Sequence, residues 1–113
     1  MRVLVCGGRD FNDQALLEKI LADYFYGPED VLICGMAKGA DMMAFNYVNR
    51  SDSHIEKYPA DWNKHGRSAG PIRNQQMLTE GKPDVVVAFP GGRGTEHMKS
   101  IARKAGIQVI DAV

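Results

Sequence analysis

Hydrophobic and polar positions along the chain follow two alternating periods. Short runs rich in Val, Ile and Leu predict strands at residues 3–6, 31–34, 84–89 and 107–110, and a weaker pattern predicts a further strand at 55–58. Between these runs, apolar residues recur at helical spacing and predict four helices: one from a cap at Asn12 or Asp13 to residue 24, then 40–48, 71–78 and 95–104. The polar segment 60–70, whose only large apolar side chain is Trp62, is predicted to be a loop.

Strands that alternate with helices predict a parallel sheet covered by helices on both faces. We therefore expect a single three-layer α/β/α domain over residues 1–113, with a five-stranded parallel sheet in the order 3-2-1-4-5. In such a sheet the winding reverses between strands 1 and 4, and ligands bind at the carboxyl edge beside that reversal. The loops after these two strands, residues 7–10 and 90–96, are the most glycine-rich of the chain.

The second of these loops reads Pro-Gly-Gly-Arg-Gly-Thr-Glu and leads into a predicted helix at Thr95. Glycines lack a Cβ and let a ligand approach the backbone. The unpaired N–H groups and positive dipole end of the helix suit a phosphate or carboxylate, and Arg93 adds a charged, planar set of donors. A turn without a ligand is the alternative, but two such loops at one crevice favour a binding site.

The amino-acid composition limits the kinds of molecule that the protein is expected to bind. Fourteen Lys and Arg residues balance fourteen Asp and Glu residues, so the net charge argues for neither nucleic acid nor a membrane. No apolar run reaches the ~20 residues that span a bilayer, and we expect a cytoplasmic protein. Cys6 and Cys34 lack metal-ligand spacing and are predicted to be buried free thiols. We expect no metal and no cofactor.

The predicted ligand edge is nevertheless rich in positive charge. It carries six basic and four acidic side chains: Arg9, Lys38, Lys64, Arg67, Arg73 and Arg93, against Asp10, Asp41, Asp61 and Glu96. This local excess favours an anionic small molecule over a neutral one. For each residue taken singly, a solvated loop charge is the alternative interpretation.

Side chains outside the glycine-rich loops suggest how a ligand would be held. Arg73 lies beside Asn74 in the first turn of a predicted helix, where a cation is unfavourable unless an anion lies nearby. Trp62 is a candidate for stacking on a nucleobase, with a lid over the sheet edge as the alternative. His65 and His97 are candidate acid–base groups by residue type only.

Five motifs occur in order along nearly the whole chain, at residues 7–11, 35–41, 59–62, 66–74 and 90–95. The motif at 35–41 lacks the Gly-Lys-Ser/Thr ending of a nucleoside-triphosphate P-loop. Together the five motifs resemble those of the SLOG superfamily of Rossmann-like nucleotide-binding domains, and within it the YspA-like, cpYpsA-related group. The resemblance implies binding of a nucleotide or nucleotide-derived ligand, as a sensor or accessory module.

Two other activities in that superfamily stay as alternatives. The LOG enzymes are phosphoribohydrolases (N-glycosidases) that act on nucleoside monophosphates, with glutamates two and three residues after the threonine of the glycine-rich motif. Here those positions hold His97 and Met98, so a catalytic role would fall to Glu96, one residue after Thr95, together with Arg73. DprA-like domains bind single-stranded DNA, which the balanced charge and single tryptophan do not favour.

The predicted ligand-binding residues lie in the loops at the carboxyl edge and at the helix start near Arg73. They are Gly7, Gly8, Arg9, Asp10, Gly35, Lys38, Gly39, Asp41, Trp62, Arg67, Arg73, Asn74, Pro90, Gly91, Gly92, Arg93, Gly94, Thr95 and Glu96. The expected partner is a phosphorylated nucleoside or an ADP-ribose-like molecule. A homo-oligomer, dimer or larger, is also expected, because the helix at 40–48 carries more apolar side chains than one buried stripe needs.

Overall fold

The computed structural model describes residues 1–112, and Val113 lies outside the described part. Five strands form one parallel sheet: β1 Arg2–Cys6, β2 Val31–Cys34, β3 His54–Lys57, β4 Val85–Ala88 and β5 Gln108–Asp111. Their spatial order is β3-β2-β1-β4-β5. The predicted α/β class and strand order are therefore confirmed, with each strand within one or two residues of its predicted bounds.

Helices connect the strands and cover both faces of the sheet. They are α1 Gln14–Leu21, α2 Ala40–Val48, the short α3 Trp62–His65, α4 Ala69–Gly81 and α5 Arg93–Lys104, with a 3-10 turn at Gly66–Ser68. Asp13, not Asn12, caps α1, since its carboxylate accepts a hydrogen bond of 3.0 Å from the Leu16 N–H. Helix α5 begins two residues earlier than predicted, so that Gly94 lies inside its first turn.

The central strands are buried on both faces because a helical layer packs on each. Alternate residues of β1 point in opposite directions: Val3 and Val5 pack with Leu17 of α1, whereas Leu4 packs with Met98 of α5. The layers are thus α1 and α2 on one face, and α4 and α5 on the other. This arrangement brings the carboxyl ends of β1 and β4 side by side.

The prediction of a loop over residues 60–70 is wrong. The Asp61 carboxylate accepts a 3.0 Å hydrogen bond from the Lys64 N–H and so caps the short helix α3. Helix α4 then begins at Ala69, two residues before Pro71. A proline is compatible with the first turn of a helix, because the N–H groups there have no intrahelical acceptor. Because the segment 60–70 is polar, its pattern of apolar residues did not reveal where α3 and α4 begin.

Most apolar side chains of helix α2 pack against the core of the same chain. Val48 is buried, and Met43, Phe45 and Tyr47 pack partly buried against the core. The apolar excess that suggested an interface between copies is therefore largely satisfied internally, and the homo-oligomer stays a prediction. Within residues 1–112, no helix combines the length and the apolarity needed to cross a membrane.

Candidate functional site

A cavity of about 610 Å³ opens at the carboxyl edge of the sheet, between the loops that follow β1 and β4. Helix α4 forms one side of it through Arg73, Asn74 and Met77, and Trp62 of α3 lies at its rim, half exposed. The start of α5 forms the other side. The cavity therefore lies where the order of strands reverses, the usual place for a ligand in an open α/β sheet.

Some glycines of the two main loops serve loop packing and not ligand access. The Gly8 N–H donates a 2.9 Å hydrogen bond to the Pro90 carbonyl. A Cβ on Gly8 would lie 2.9 Å from the Gly91 Cα, and one on Gly91 would lie 2.6 Å from the Gly8 nitrogen. Gly39, with φ +89°, packs in the same way against the carbonyls of Gly8 and Arg9. These glycines allow the loops that follow β1, β2 and β4 to pack closely against one another.

Gly92 and Gly94, by contrast, line the cavity, and a Cβ on either would meet nothing within 4 Å. Gly92 is the N-cap of α5 and Gly94 lies in its first turn. The first N–H groups of this 12-residue helix have no intrahelical acceptor. The missing side chains leave this positive helix end open toward the cavity, together with exposed Arg93.

Arg73 is held in place from two sides. Its Nη1 donates to the Gly35 carbonyl at 2.7 Å, and its Nε donates to the Asn74 Oδ1 at 3.0 Å. Within residues 1–112, its other N–H groups have no hydrogen-bond acceptor. Burial lowers the Arg73 pKa, and the nearby Asp41 carboxyl opposes that effect. The guanidinium remains charged at neutral pH because its ordinary pKa is so high.

Asp41 places a buried carboxyl in the same cavity. It lies in the first turn of α2 with 7% of its surface exposed, and its Oδ2 accepts a 3.2 Å hydrogen bond from the Ala37 N–H. Burial raises the Asp41 pKa to about 6, although the Ala37 N–H and the positive charge of Arg73 both act in the opposite direction. This carboxyl therefore changes its charge just below neutral pH.

Asn74 connects Arg73 to His97. The side chain is 5% exposed, and its Oδ1 must accept from Arg73 because a guanidinium has only donors. Its Nδ2 therefore faces two acceptors, the Gly94 carbonyl at 3.2 Å and the His97 Nδ1 at 3.1 Å. Neutral His97 then carries its proton on Nε2. The half-buried imidazole lines the cavity as a fixed donor.

Trp62 and Arg9 form the boundary to a second, smaller cavity. The Arg9 Cζ lies 5.9 Å from the centroid of the Trp62 ring, a cation–π distance. The smaller cavity has a volume of about 310 Å³, and its lining includes Lys38 and Gly35. Arg9, Ala37, Trp62 and Arg73 line both cavities.

The structure brings most of the predicted site residues together. Those that line the larger cavity are Gly7, Gly8, Arg9, Asp10, Asp41, Trp62, Arg73, Asn74, Gly92, Arg93, Gly94 and Thr95. Gly35 and Lys38 line the smaller one, while the lining of neither cavity includes Gly39, Arg67, Pro90, Gly91 or Glu96. The Glu96 side chain is 66% exposed and forms a 3.0 Å ion pair with Lys99.

Sequence reasoning left several lining residues out of the predicted set: Cys6, Met36, Ala37, Pro59, Ala60, Gly70, Pro71, Met77 and His97. Gly70, Arg73, Asn74 and Met77 follow the i, i+3, i+4, i+7 spacing of one helical face. A predicted start of α4 at Ala69 would have placed all four toward the site. His97 was named from the sequence only as an acid–base candidate by residue type, and its contact with Asn74 is visible only in the structure.

Neither cysteine is suited to nucleophilic chemistry. Cys6 and Cys34 are free and buried, as predicted. Burial raises the pKa of each thiol to about 12, so the reactive thiolate is scarce at neutral pH. Within residues 1–112, no group of three or more His, Cys, Asp or Glu side chains has the geometry of a metal site.

Comparison with known proteins agrees with the motifs. The family model described as the YspA, cpYpsA-related SLOG family matches residues 1–65, more than half of the chain. The chain is also similar to the Gene 61 protein of Mycobacterium phage D29, with 39% identity over 121 aligned positions that cover 97% of this chain and 94% of that protein. The resemblance inferred from the sequence motifs is thus confirmed at the level of the family.

Proposed function

Since the chain belongs to the YspA, cpYpsA-related SLOG family, whose superfamily includes nucleotide-related ligand binding, we propose that its larger cavity binds a nucleotide or nucleotide-derived anion. The anionic group would lie at the start of α5, between Arg93 and Arg73. The base would lie against the exposed ring of Trp62. The protein would act as a sensor or accessory module.

The observation that carries this proposal is the convergence of donors on one cavity. The open helix end at Gly92 and Gly94 and the guanidinium groups of Arg73 and Arg93 come from two different helices and line the same space. Helix N-termini and arginine forks are both suited to phosphate oxygens. Asn74 contributes by fixing the orientation of Arg73, so that less ordering entropy is lost on binding.

The polar groups beyond the anion site suit a nucleoside. His97 offers a fixed Nε2–H donor, and Asp10 and Asp41 offer carboxyl groups in the same cavity. Ribose hydroxyls and base nitrogens are the partners that such groups bind. A simple inorganic anion would use only the positively charged side of the cavity.

The test uses the only tryptophan of the chain as a reporter. Titrating the protein with nucleoside monophosphates of the four common bases, in buffer of physiological ionic strength, should change Trp62 fluorescence at saturating ligand. Adenosine and inorganic phosphate serve as half-ligand controls and should bind more weakly. The variant R73A should weaken binding, whereas R50A, an exposed arginine just after the carboxyl end of α2, should leave it unchanged.

The phosphoribohydrolase alternative is examined in the same samples by chromatography for free base. Asp41 is a cavity carboxyl whose raised pKa suits a general acid, whereas Glu96 lies outside the lining. Base release that is lost in D41N but kept in E96Q would favour hydrolysis by Asp41. Base release lost only in E96Q would favour a LOG-type reaction in which Glu96 is the catalytic residue. An oligonucleotide that binds more tightly than every mononucleotide would favour the DprA-like alternative.

A further inference from the structure

The smaller cavity extends the proposed binding site. It shares Arg9, Ala37, Trp62 and Arg73 with the larger cavity, so the two spaces adjoin along this common wall. Arg73 is fixed by the Gly35 carbonyl, which belongs to the loop lining the smaller side. A ligand that is anchored at α5 and extends past Arg73 would therefore reach the second compartment.

The two compartments differ in charge. Asp10 and Asp41 accompany three arginines in the larger cavity. Among the described residues that line the smaller cavity, every charged side chain is basic: Arg9, Lys38 and Arg73. The lining of the smaller compartment includes no carboxylate, and Asp41 acts on Arg73 from the larger side. With Arg9 and Lys38 also present, the smaller compartment favours an anionic group more strongly than its neighbour does.

Size limits what the smaller compartment holds. Its volume of about 310 Å³ lies at the lower end of the usual range for small-molecule pockets, about 300–1,000 Å³. The lining is polar and includes no aromatic ring apart from the shared Trp62. A phosphoryl group, with or without a sugar, fits this compartment better than a second base would.

From this geometry we infer that the ligand carries a pyrophosphate that crosses the wall formed by Arg9 and Arg73. The first phosphate lies on the α5 side and the second lies beside Lys38 in the smaller cavity. The ligand class is a nucleoside 5′-diphosphate, either free or linked to a further sugar. This inference rests on the proposed function, because it assumes a nucleotide in the larger cavity.

The experiment compares matched pairs of mono- and diphosphates for each of the four bases by isothermal titration calorimetry, without Mg²⁺ and at physiological ionic strength. Wild-type protein should bind at least one diphosphate about tenfold or more tightly than its monophosphate, the gain of one charge-assisted hydrogen bond. K38A should remove that gain, because it should weaken diphosphate binding about tenfold more than monophosphate binding. K64A, which removes an exposed lysine outside both cavities, should keep the gain.

ADP-ribose distinguishes the two sources of the pyrophosphate. Affinity equal to or above that of ADP, with the same loss in K38A, assigns a sugar-linked diphosphate, whereas weaker affinity than ADP assigns a free diphosphate. Equal wild-type affinities within every mono- and diphosphate pair would overturn the inference while leaving the proposed function in place. An equal loss of both affinities in K38A would also overturn it. Failure of all nucleotides to bind would instead refute the proposed function.

Discussion

The buried carboxyl of Asp41 yields the sharpest quantitative prediction. Replacing Asp41 with Asn keeps the shape of the side chain and leaves an oxygen able to accept the hydrogen bond from the Ala37 N–H. The substitution removes the ability to become charged in a buried environment and puts an amide NH2 group in place of the other carboxyl oxygen. We therefore expect D41N to be more stable than the wild-type protein at neutral pH.

The magnitude follows from the pKa of Asp41 in the folded and unfolded states. Burial raises that pKa from the ordinary value of 3.8 to about 6, and each pKa unit corresponds to about 1.4 kcal/mol. The cost of ionising Asp41 in the folded protein is therefore on the order of 3 kcal/mol. Between pH 3.8 and 6 the folded state binds more protons than the unfolded state, so this contribution to stability falls as pH rises.

The assay is urea unfolding followed by far-UV circular dichroism between pH 4 and pH 8. The difference in unfolding free energy between D41N and wild type should be below about 1 kcal/mol at pH 4 and reach about 3 kcal/mol at pH 7. Above pH 7 it should stay constant. Acids with lowered pKa values, such as Asp30 and Glu56, affect both proteins alike and cancel from the difference.

The control is D52N, the same chemical change at an exposed position. A stability difference for D41N that does not change with pH would refute the reasoning, because it would mean that Asp41 ionises as easily in the folded protein as in the unfolded chain. A D41N variant that is less stable than wild type at pH 7 would be a stronger contradiction. It would show that attraction between Asp41 and Arg73 outweighs the cost of burial.

Four further predictions concern the loops and the assembly. R93A should weaken mononucleotide binding by about 1.5–3 kcal/mol in calorimetry, with unchanged urea unfolding because Arg93 is exposed. G94A should raise unfolding stability by up to ~1 kcal/mol yet weaken binding, since the added methyl enters the cavity; equal affinity would remove Gly94 from the site. G8A should lower stability by about 1–3 kcal/mol, because its Cβ meets Gly91 and Pro90; unchanged unfolding would contradict that packing. Sedimentation should detect particles heavier than the 113-residue monomer, and monomers alone at micromolar concentration would refute the homo-oligomer.

Apart from the short helix α3 and the 3-10 turn after it, the order and type of the elements could be predicted from the sequence, because they depend on local periodicity. Apolar runs marked four of the strands, and a weaker pattern at residues 55–58 marked the fifth, β3. The alternation of these strands with helices predicted the parallel sheet and its order. The same rules located the cavity between the loops after β1 and β4. Right-handed crossovers between parallel strands place these loops at the same edge of the sheet. This rule applies to any chain with the same order of strands and helices.

The roles of individual glycines could not be predicted from the sequence. Gly91, Gly92 and Gly94 form one motif, but Gly91 packs on Gly8 whereas the other two face open space. Which glycine meets backbone and which meets the cavity depends on how closely the loop after β1 approaches. The pairing of β1 with β4 in the sheet, and not the glycine motif, determines the distance between the two loops.

Side-chain chemistry at the site was decided by tertiary contacts. Asp41 and Glu96 both lie in the first turn of a helix, yet Asp41 is buried in the cavity while Glu96 is exposed and pairs with Lys99. Burial raises the Asp41 pKa, and the positive charge of Arg73 from α4 acts in the opposite direction. Both effects exist only because α2 and α4 meet at the edge of the sheet. Residue type and spacing predicted which edge of the sheet carries the cavity. Burial by segments distant in the sequence decided that Asp41 there has a raised pKa.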